Sequence, residues 1–147
     1  MSAVFLQASE EDVDELIEFL GSAKLNVEEV PNQYDYYLVA KNQNGRLIGA
    51  AGLIPCGKYG LLRSCVFASS FPKEKIPFLI EHLLVSASMH KLESVYMATD
   101  KISSIQFFKS FGFTEAEIKQ LPEEIKSSPH VEKLKKLENC QFMHRIL

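Results

Sequence analysis

The sequence predicts an α/β fold built on a mixed, mostly antiparallel central sheet with helices on both faces. Three observations carry that expectation. Residues 36–68 read as three successive strands joined by short turns, and Asn44-Gly45 between the first two is the strongest hairpin signal in the chain. Residues 77–90 read as a helix with Ile80, Leu83, Leu84 and Ala87 along one side. The strand SVYMA (94–98) follows that helix, so the meander gives way to a β-α-β order. FFKSFGF (107–113) then reads as a helix stopped by Gly112 and restarted as a strand at Phe113.

Each element has a local cause. Residues 4–6 carry a short strand signal. Ser9 opens a helix with Asp12 three residues on, and Val13, Leu16, Ile17 and Leu20 follow at helical spacing until Gly21. Residues 26–30 read as one more helical turn, ended by Pro31. YYLVAK (36–41) and RLIGAAGLI (46–54) form the hairpin, and Gly49, Ala50, Ala51 and Gly52 make the second strand small-sided, which invites a close neighbour. A turn over 55–60, with Gly57 and Gly60, leads to a third strand over 61–68 whose unbroken apolar character predicts a central place. Pro77 suits the first position of its helix. Asp100 is read as the cap of the next helix, with Ile102, Ile105 and Phe108 toward the core. Residues 115–138 turn polar and helical in short pieces opened by Pro122 and Pro129, the charge run 133–138 reads as a solvated face, and QFMHRIL (141–147) alternates as a last strand.

At 147 residues and 46% hydrophobic, the chain suits one globular domain over 1–147. A net charge of −3 argues against a nucleic-acid partner, which calls for a basic face. The three cysteines, Cys56, Cys65 and Cys140, are odd in number and show no disulfide spacing, and the start reads as no signal peptide, so a reducing, cytoplasmic setting is expected. No two Cys or His residues sit at ligand spacing, so no metal site is expected. The apolar runs are far below the roughly 20 residues that cross a bilayer, so no membrane partner is expected. The expected state is a monomer or homodimer.

Arg63 is the most unexpected residue, a guanidinium in an apolar strand. It is a candidate anchor for a substrate carboxylate, or else the partner of one of the chain's own acids. Tyr96, on the strand after the long helix, has a hydroxyl that a buried site can use as a proton donor. His144 on the last strand is a candidate base, and Tyr34, Tyr36 and Tyr37 are candidates for a pocket lining. Cys65 as a nucleophile lacks a neighbouring His in sequence.

The stretch from YGLLRSCVF through PKEKIP to FFKSFGF resembles the acyl-CoA-binding half of the GNAT N-acetyltransferases. Beyond it, Gln7-Ala8-Ser9 with Asp12, Gly52-Leu53, Gly57, Leu61-Leu62-Arg63-Ser64, Phe107-Phe108, Gly112-Phe113 and residues 140–143 are similar to the arsenic-resistance-type subgroup of that superfamily. The resemblance implies a GNAT-like fold and acetyl-CoA as co-substrate. It implies that the backbone of Cys65, Val66 and Phe67 meets the pantetheine arm. It places the pyrophosphate on Lys73, Glu74, Lys75, Ile76 and Pro77 at a helix N-terminus, with Ser104 and Phe107 on the later helix also touching the cofactor. The chain departs from the family here. Lys73, Lys75 and Pro77 stand at the family's glycine positions, where a side chain in a left-handed conformation costs about 1–2 kcal/mol. Pro77 also lacks an N–H, and Glu74 sets a negative charge beside the phosphates. Phe108 stands where many members carry a proton-donating tyrosine, and Leu61 near where some carry a glutamate base. The implied activity is transfer of an acetyl group from acetyl-CoA to a small primary amine. The alternative is an inactive GNAT-like binding or interaction module that has lost its cofactor grip.

Overall fold

A computed structural model of the chain describes residues 3–25, 27–134, 136 and 140–147. Among the described residues, seven strands form one sheet in the order β1-β2-β3-β4-β5-β7-β6. They are β1 (Val4–Gln7), β2 (Tyr37–Lys41), β3 (Leu47–Cys56), β4 (Tyr59–Phe67), β5 (Ser94–Thr99), β6 (Thr114–Ala116) and β7 (Gln141–Ile146). The helices are α1 (Val13–Ser22), α2 (Val30–Gln33), α3 (Ile76–Met89), α4 (Ile102–Lys109), α5 (Glu123–Lys126) and α6 (Pro129–Leu134). β4 is parallel to β5, while β1–β2, β2–β3, β5–β7 and β6–β7 are antiparallel. The mixed, mostly antiparallel sheet and the central place of β4 agree with the sequence. Contacts within the chain gather into two compact units, Met1–Ile54 with Arg63–Met89, and Pro55–Leu62 with His90–Leu147.

In the first unit, alternate residues of β2 supply two apolar clusters. Val39 joins Leu16, Leu20, Val30, Tyr37 and Ala50. Ala40 joins Ile48 and Phe71, with Phe5, Phe67 and Ile76 packed around them. The small side of β3 is used as its composition suggests. A Cβ on Gly49 would lie 3.1 Å from the Phe67 ring, and one on Gly52 would lie 2.2 Å from the Tyr37 ring. α3 buries Leu79, Ile80, Leu83, Leu84 and Ala87.

The Ser9 start forms as read, with one addition from far along the chain. Asp12 Oδ2 accepts the Ser9 amide at 2.8 Å, and Asp12 Oδ1 accepts Lys41 Nζ at 2.6 Å. Burial pushes the Asp12 carboxyl up, but the Lys41 ammonium and the Ser9 donors outweigh it and hold the pKa below its ordinary value. A pKa lowered from about 3.9 stabilises the fold above that pH, and the contribution disappears as pH falls through the folded value. Asp12→Asn is therefore expected to cost about 2 kcal/mol at neutral pH, and the difference from wild type in urea titrations should shrink as the pH falls below about 4.

Gly21 does not end α1. The helix runs to Ser22 and is closed by Lys24 in the left-handed region at φ 62°, with the Lys24 amide on the Gly21 carbonyl and the Leu25 amide on the Leu20 carbonyl. These two bonds make a Schellman closure. Pro31 does not end a turn but opens α2, where its missing N–H costs nothing. The expected turn over 26–30 begins at Asn26, which lies outside the described residues. The 55–60 turn is shorter than expected. β3 reaches Cys56 and β4 starts at Tyr59, so Gly57, at φ 63°, and Lys58 make the turn, and Gly60 is strand.

In the second unit, β5 pairs with β7 over its whole length, from Ser94↔Ile146 to Thr99↔Gln141. Its parallel pairing with β4 is short, from Tyr59↔Ser94 to Leu61↔Tyr96. α4 ends as the sequence predicts. Gly112 takes φ 86°, its amide bonds the Lys109 carbonyl, the Phe113 amide bonds the Phe108 carbonyl, and the rings of Phe108 and Phe113 meet at 5.3 Å. The start of α4 differs from expectation. Lys101, not Asp100, holds the cap position, and its amide donates to Thr99 Oγ1 at 3.2 Å. Ile102 is 74% exposed and is no core residue. The charge run 133–138 falls partly outside the described residues. Among the described residues, no helix is long and apolar enough to cross a membrane.

Candidate active site

The residues singled out in the sequence divide between the two units. The first holds Arg63, Cys65, Val66, Phe67 and the stretch Lys73, Glu74, Lys75, Ile76 and Pro77 on one strand–turn–helix. After Phe67 the Ala68 amide bonds the Ile48 carbonyl, and the Phe71 amide bonds the Ala68 carbonyl. Phe71 is buried, its ring 4.8 Å from that of Phe67, and pins the turn down. Pro72 then caps a single 3-10 turn over Lys73–Lys75 that runs straight into α3.

This turn corrects one expectation. Among the described residues, none from 68 to 77 takes a positive φ, so no side chain stands in the left-handed region there. The Lys75 amide bonds the Pro72 carbonyl and the Ile76 amide bonds the Lys73 carbonyl. A 3-10 turn needs only ordinary helical dihedrals. Pro77 falls one residue into α3, where the helix start tolerates it. Lys73 and Glu74 are exposed, and Lys75 lies with its ammonium 5.3 Å over the Phe78 ring.

Arg63 has an acid partner within its unit. Its guanidinium pairs with Glu29 Oε1, and the Tyr37 hydroxyl donates to that oxygen at 3.1 Å. The Arg63 and Glu29 side chains are 11% and 22% exposed, so the pair is largely shielded from solvent. The geometry thus gives Arg63 an intramolecular role that accounts for a cation in an apolar strand. Cys65 is exposed, and the protein crowded around it raises its thiol pKa. Nothing in its surroundings pushes that value down, so the group is held as a thiol and not as a nucleophilic thiolate.

The second unit holds Tyr96, Ser104 and Phe107. Tyr96 is buried between two rings, that of Tyr59 at 5.7 Å edge-on and that of His144 at 5.4 Å stacked. Burial first, then the neighbouring Tyr59 and Glu124, raise the Tyr96 phenol's pKa, so it stays protonated at neutral pH. His144 Nδ1 is buried and, among the described residues, has no hydrogen-bond partner. Tyr59 was not singled out in the sequence, because its place beside Tyr96 arises only from the parallel β4–β5 register. Ser104 is half-buried on α4, and the Phe107 ring lies 5.2 Å from Phe108 and 5.1 Å from Phe111. Phe108 is buried and Leu61 fully so, so neither place offers a titrating group.

Comparison with known proteins gives three findings. The chain is 31% identical over 140 residues to the uncharacterized protein YwlB of Bacillus subtilis, covering 94% of this chain and 93% of that one. It is similar in structure to a GNAT-family acetyltransferase from Staphylococcus aureus, with TM-score 0.71, 23% identity and 99% of both chains covered. It is also similar to N-acetylglutamate synthase from Neisseria gonorrhoeae solved with coenzyme A and N-acetyl-glutamate, with TM-score 0.76 and 15% identity; all of this chain is covered but it spans only 35% of that one. No family model matches the chain. At these identities the structural likenesses establish the GNAT fold.

Proposed function

The chain belongs to the family of YwlB and has the GNAT fold, and from that premise we propose that it is an N-acetyltransferase moving an acetyl group from acetyl-CoA to a small primary amine. The observation that carries the reading is the uninterrupted run from β4 through the Phe71-pinned turn into α3, with Lys73 and Lys75 in the first helical turn. The pyrophosphate would meet the positive end of α3, the amides of Lys73 and Glu74, and the two ammonium groups. The pantetheine arm would take its hydrogen bonds from the backbone of Cys65, Val66 and Phe67, with Ser104 and Phe107 also contacting the cofactor. A 3-10 entry takes the place of the family's glycine loop, so the cost of left-handed lysines does not count against binding.

In the transfer itself a neutral amine attacks the thioester carbon, the C–N bond forms, the C–S bond breaks, and the thiolate leaves. Catalysis rests mainly on proximity and on backbone polarisation of the carbonyl. Tyr96, kept protonated by burial, is the candidate to protonate the thiolate; the amine's proton goes to water, and water returns a proton to Tyr96. Arg63, tied to Glu29, is set aside as a substrate anchor.

Calorimetric titration with acetyl-CoA tests this reading. At about 100-fold excess over Kd, binding should add about 2.7 kcal/mol, or about 5–10 °C in Tm. Replacing both Lys73 and Lys75 with Ala should weaken binding about tenfold. Thiol release in the presence of an amine panel then reports the transfer. Unchanged stability at millimolar acetyl-CoA would remove the transferase reading and leave the binding module.

A further inference from the structure

The second unit contains a cavity of about 480 Å³ outside the strand–turn–helix assigned to the cofactor. It is lined by Tyr59, Glu93, Ser94, Tyr96, His144 and Ile146, with Leu92 and Leu147 completing its apolar side. That volume suits a small organic ligand. The site is built from fixed parts. The Glu93 amide bonds the Lys58 carbonyl at 2.7 Å and the Glu93 carbonyl accepts the Leu147 amide at 2.9 Å, so Glu93's backbone is tied on both sides. Tyr59 lies opposite Ser94, and Tyr96 opposite His144, by strand register. The three rings therefore keep their places without a ligand.

The rim already displays the chemistry it accepts. The ammonium of Lys58 lies 3.7 Å from Glu93 Oε2 and 5.5 Å over the Tyr59 ring. A carboxylate beside an aromatic face is a cation site, and here a side chain of the same chain occupies its outer edge from solvent. Tyr59, Tyr96 and Ile146 give the lining apolar surface that suits a hydrophobic body, and among the described lining residues none is Lys or Arg.

We propose that this cavity binds a small primary amine with an aromatic or branched apolar body, its ammonium between Glu93 and the Tyr59 ring and its body against Tyr96 and Ile146. The bound ammonium takes the place that Lys58 holds, so Lys58 acts as a competitor for Glu93. This inference concerns binding alone and needs no cofactor, so it stands or falls apart from the transferase reading.

The probe is 2-phenylethylamine, titrated into the whole chain without acetyl-CoA, by calorimetry and by proton–nitrogen NMR. Wild type should bind at about 1 mM or tighter, which is about −4 kcal/mol, with shifts at Tyr59, Tyr96 and His144. Lys58→Ala should tighten binding about threefold by removing the competitor, and Glu93→Gln should weaken it about tenfold by removing the counter-charge. Glu93 and Lys58 are both solvent-facing, at 60% and 54% exposure, so both variants are expected to fold. The neutral isostere 2-phenylethanol should bind at least about tenfold more weakly than the amine. Equal binding of the alcohol, affinities in both variants equal to wild type, or no shift at about 10 mM amine would each overturn the proposal.

Discussion

Gly52→Ala should lower stability by about 3 kcal/mol, a large share of the roughly 5–15 kcal/mol typical of a domain. The added methyl has nowhere to go. Its carbon would lie 2.2 Å from Tyr37 Cε2 and 2.6 Å from two further atoms of the same ring. A ring on a flexible stem swings aside cheaply, but this one is 2% exposed and its hydroxyl is held by Glu29. Moving it disturbs the packing around Val39 and Ala50 and the Glu29 contact together. In urea the midpoint should fall by about 1.5 M with the slope unchanged. Gly21→Ala is the matched control. Gly21 lies inside α1 with nothing within 4 Å of the new carbon, so the same substitution there should stabilise by about 0.5–1 kcal/mol. Opposite signs from one chemical change are the expected result. A Gly52→Ala midpoint within error of wild type would mean that the Tyr37 ring does not sit on Gly52.

Arg63→Met should cost about 2 kcal/mol of folding stability. Removing one member of a fully buried pair costs about 3–5 kcal/mol because the other charge is left without its partner, and the partial exposure of Glu29 reduces that figure. The stranded group is Glu29, which then keeps only the Tyr37 hydroxyl among the contacts described above. Glu29→Gln in the Arg63→Met background should recover about 1 kcal/mol, because no carboxylate remains to be neutralised. A substrate anchor behaves differently. It would leave the urea midpoint in place and raise KM for an acidic acceptor alone. A double-mutant cycle in urea therefore separates the two roles assigned to Arg63, and additive single effects would remove the ion-pair account.

Much of this architecture was legible because its causes are local. The Asn44-Gly45 hairpin, the Ser9–Asp12 start and the Gly112 stop each rest on residues within a few positions of one another, and each formed. The small residues of β3 announced a close neighbour, although not that it would be Tyr37 on one side and Phe67 with Phe71 on the other. The misses came where a distant contact or an alternative geometry won. Gly21 and Lys24 compete for one helix stop, and position relative to Leu25, whose side chain packs into the first cluster, favoured the residue with the poorer intrinsic preference. PKEKIP needs left-handed lysines only on the template of a glycine loop; a 3-10 entry needs none. Ile102 looked like core by spacing but starts its helix on the solvent side. At the site, Arg63 stood out by composition, while Glu29 is 34 positions earlier and nothing in its neighbourhood marks it. Tyr59 and His144 meet Tyr96 only through the registers of β4, β5 and β7.

Each compact unit draws on two separated stretches of chain, and residues 55–62 serve the later one. During synthesis these eight residues leave the ribosome well before Ser94–Tyr96, the segment against which Tyr59–Leu61 pair. The edge of that strand end that faces β5 thus waits for its partner for about thirty further residues of translation. At about 5–20 residues per second that is a window of seconds, open to any chaperone that recognises an apolar strand. No single proteolytic cut could release either unit whole.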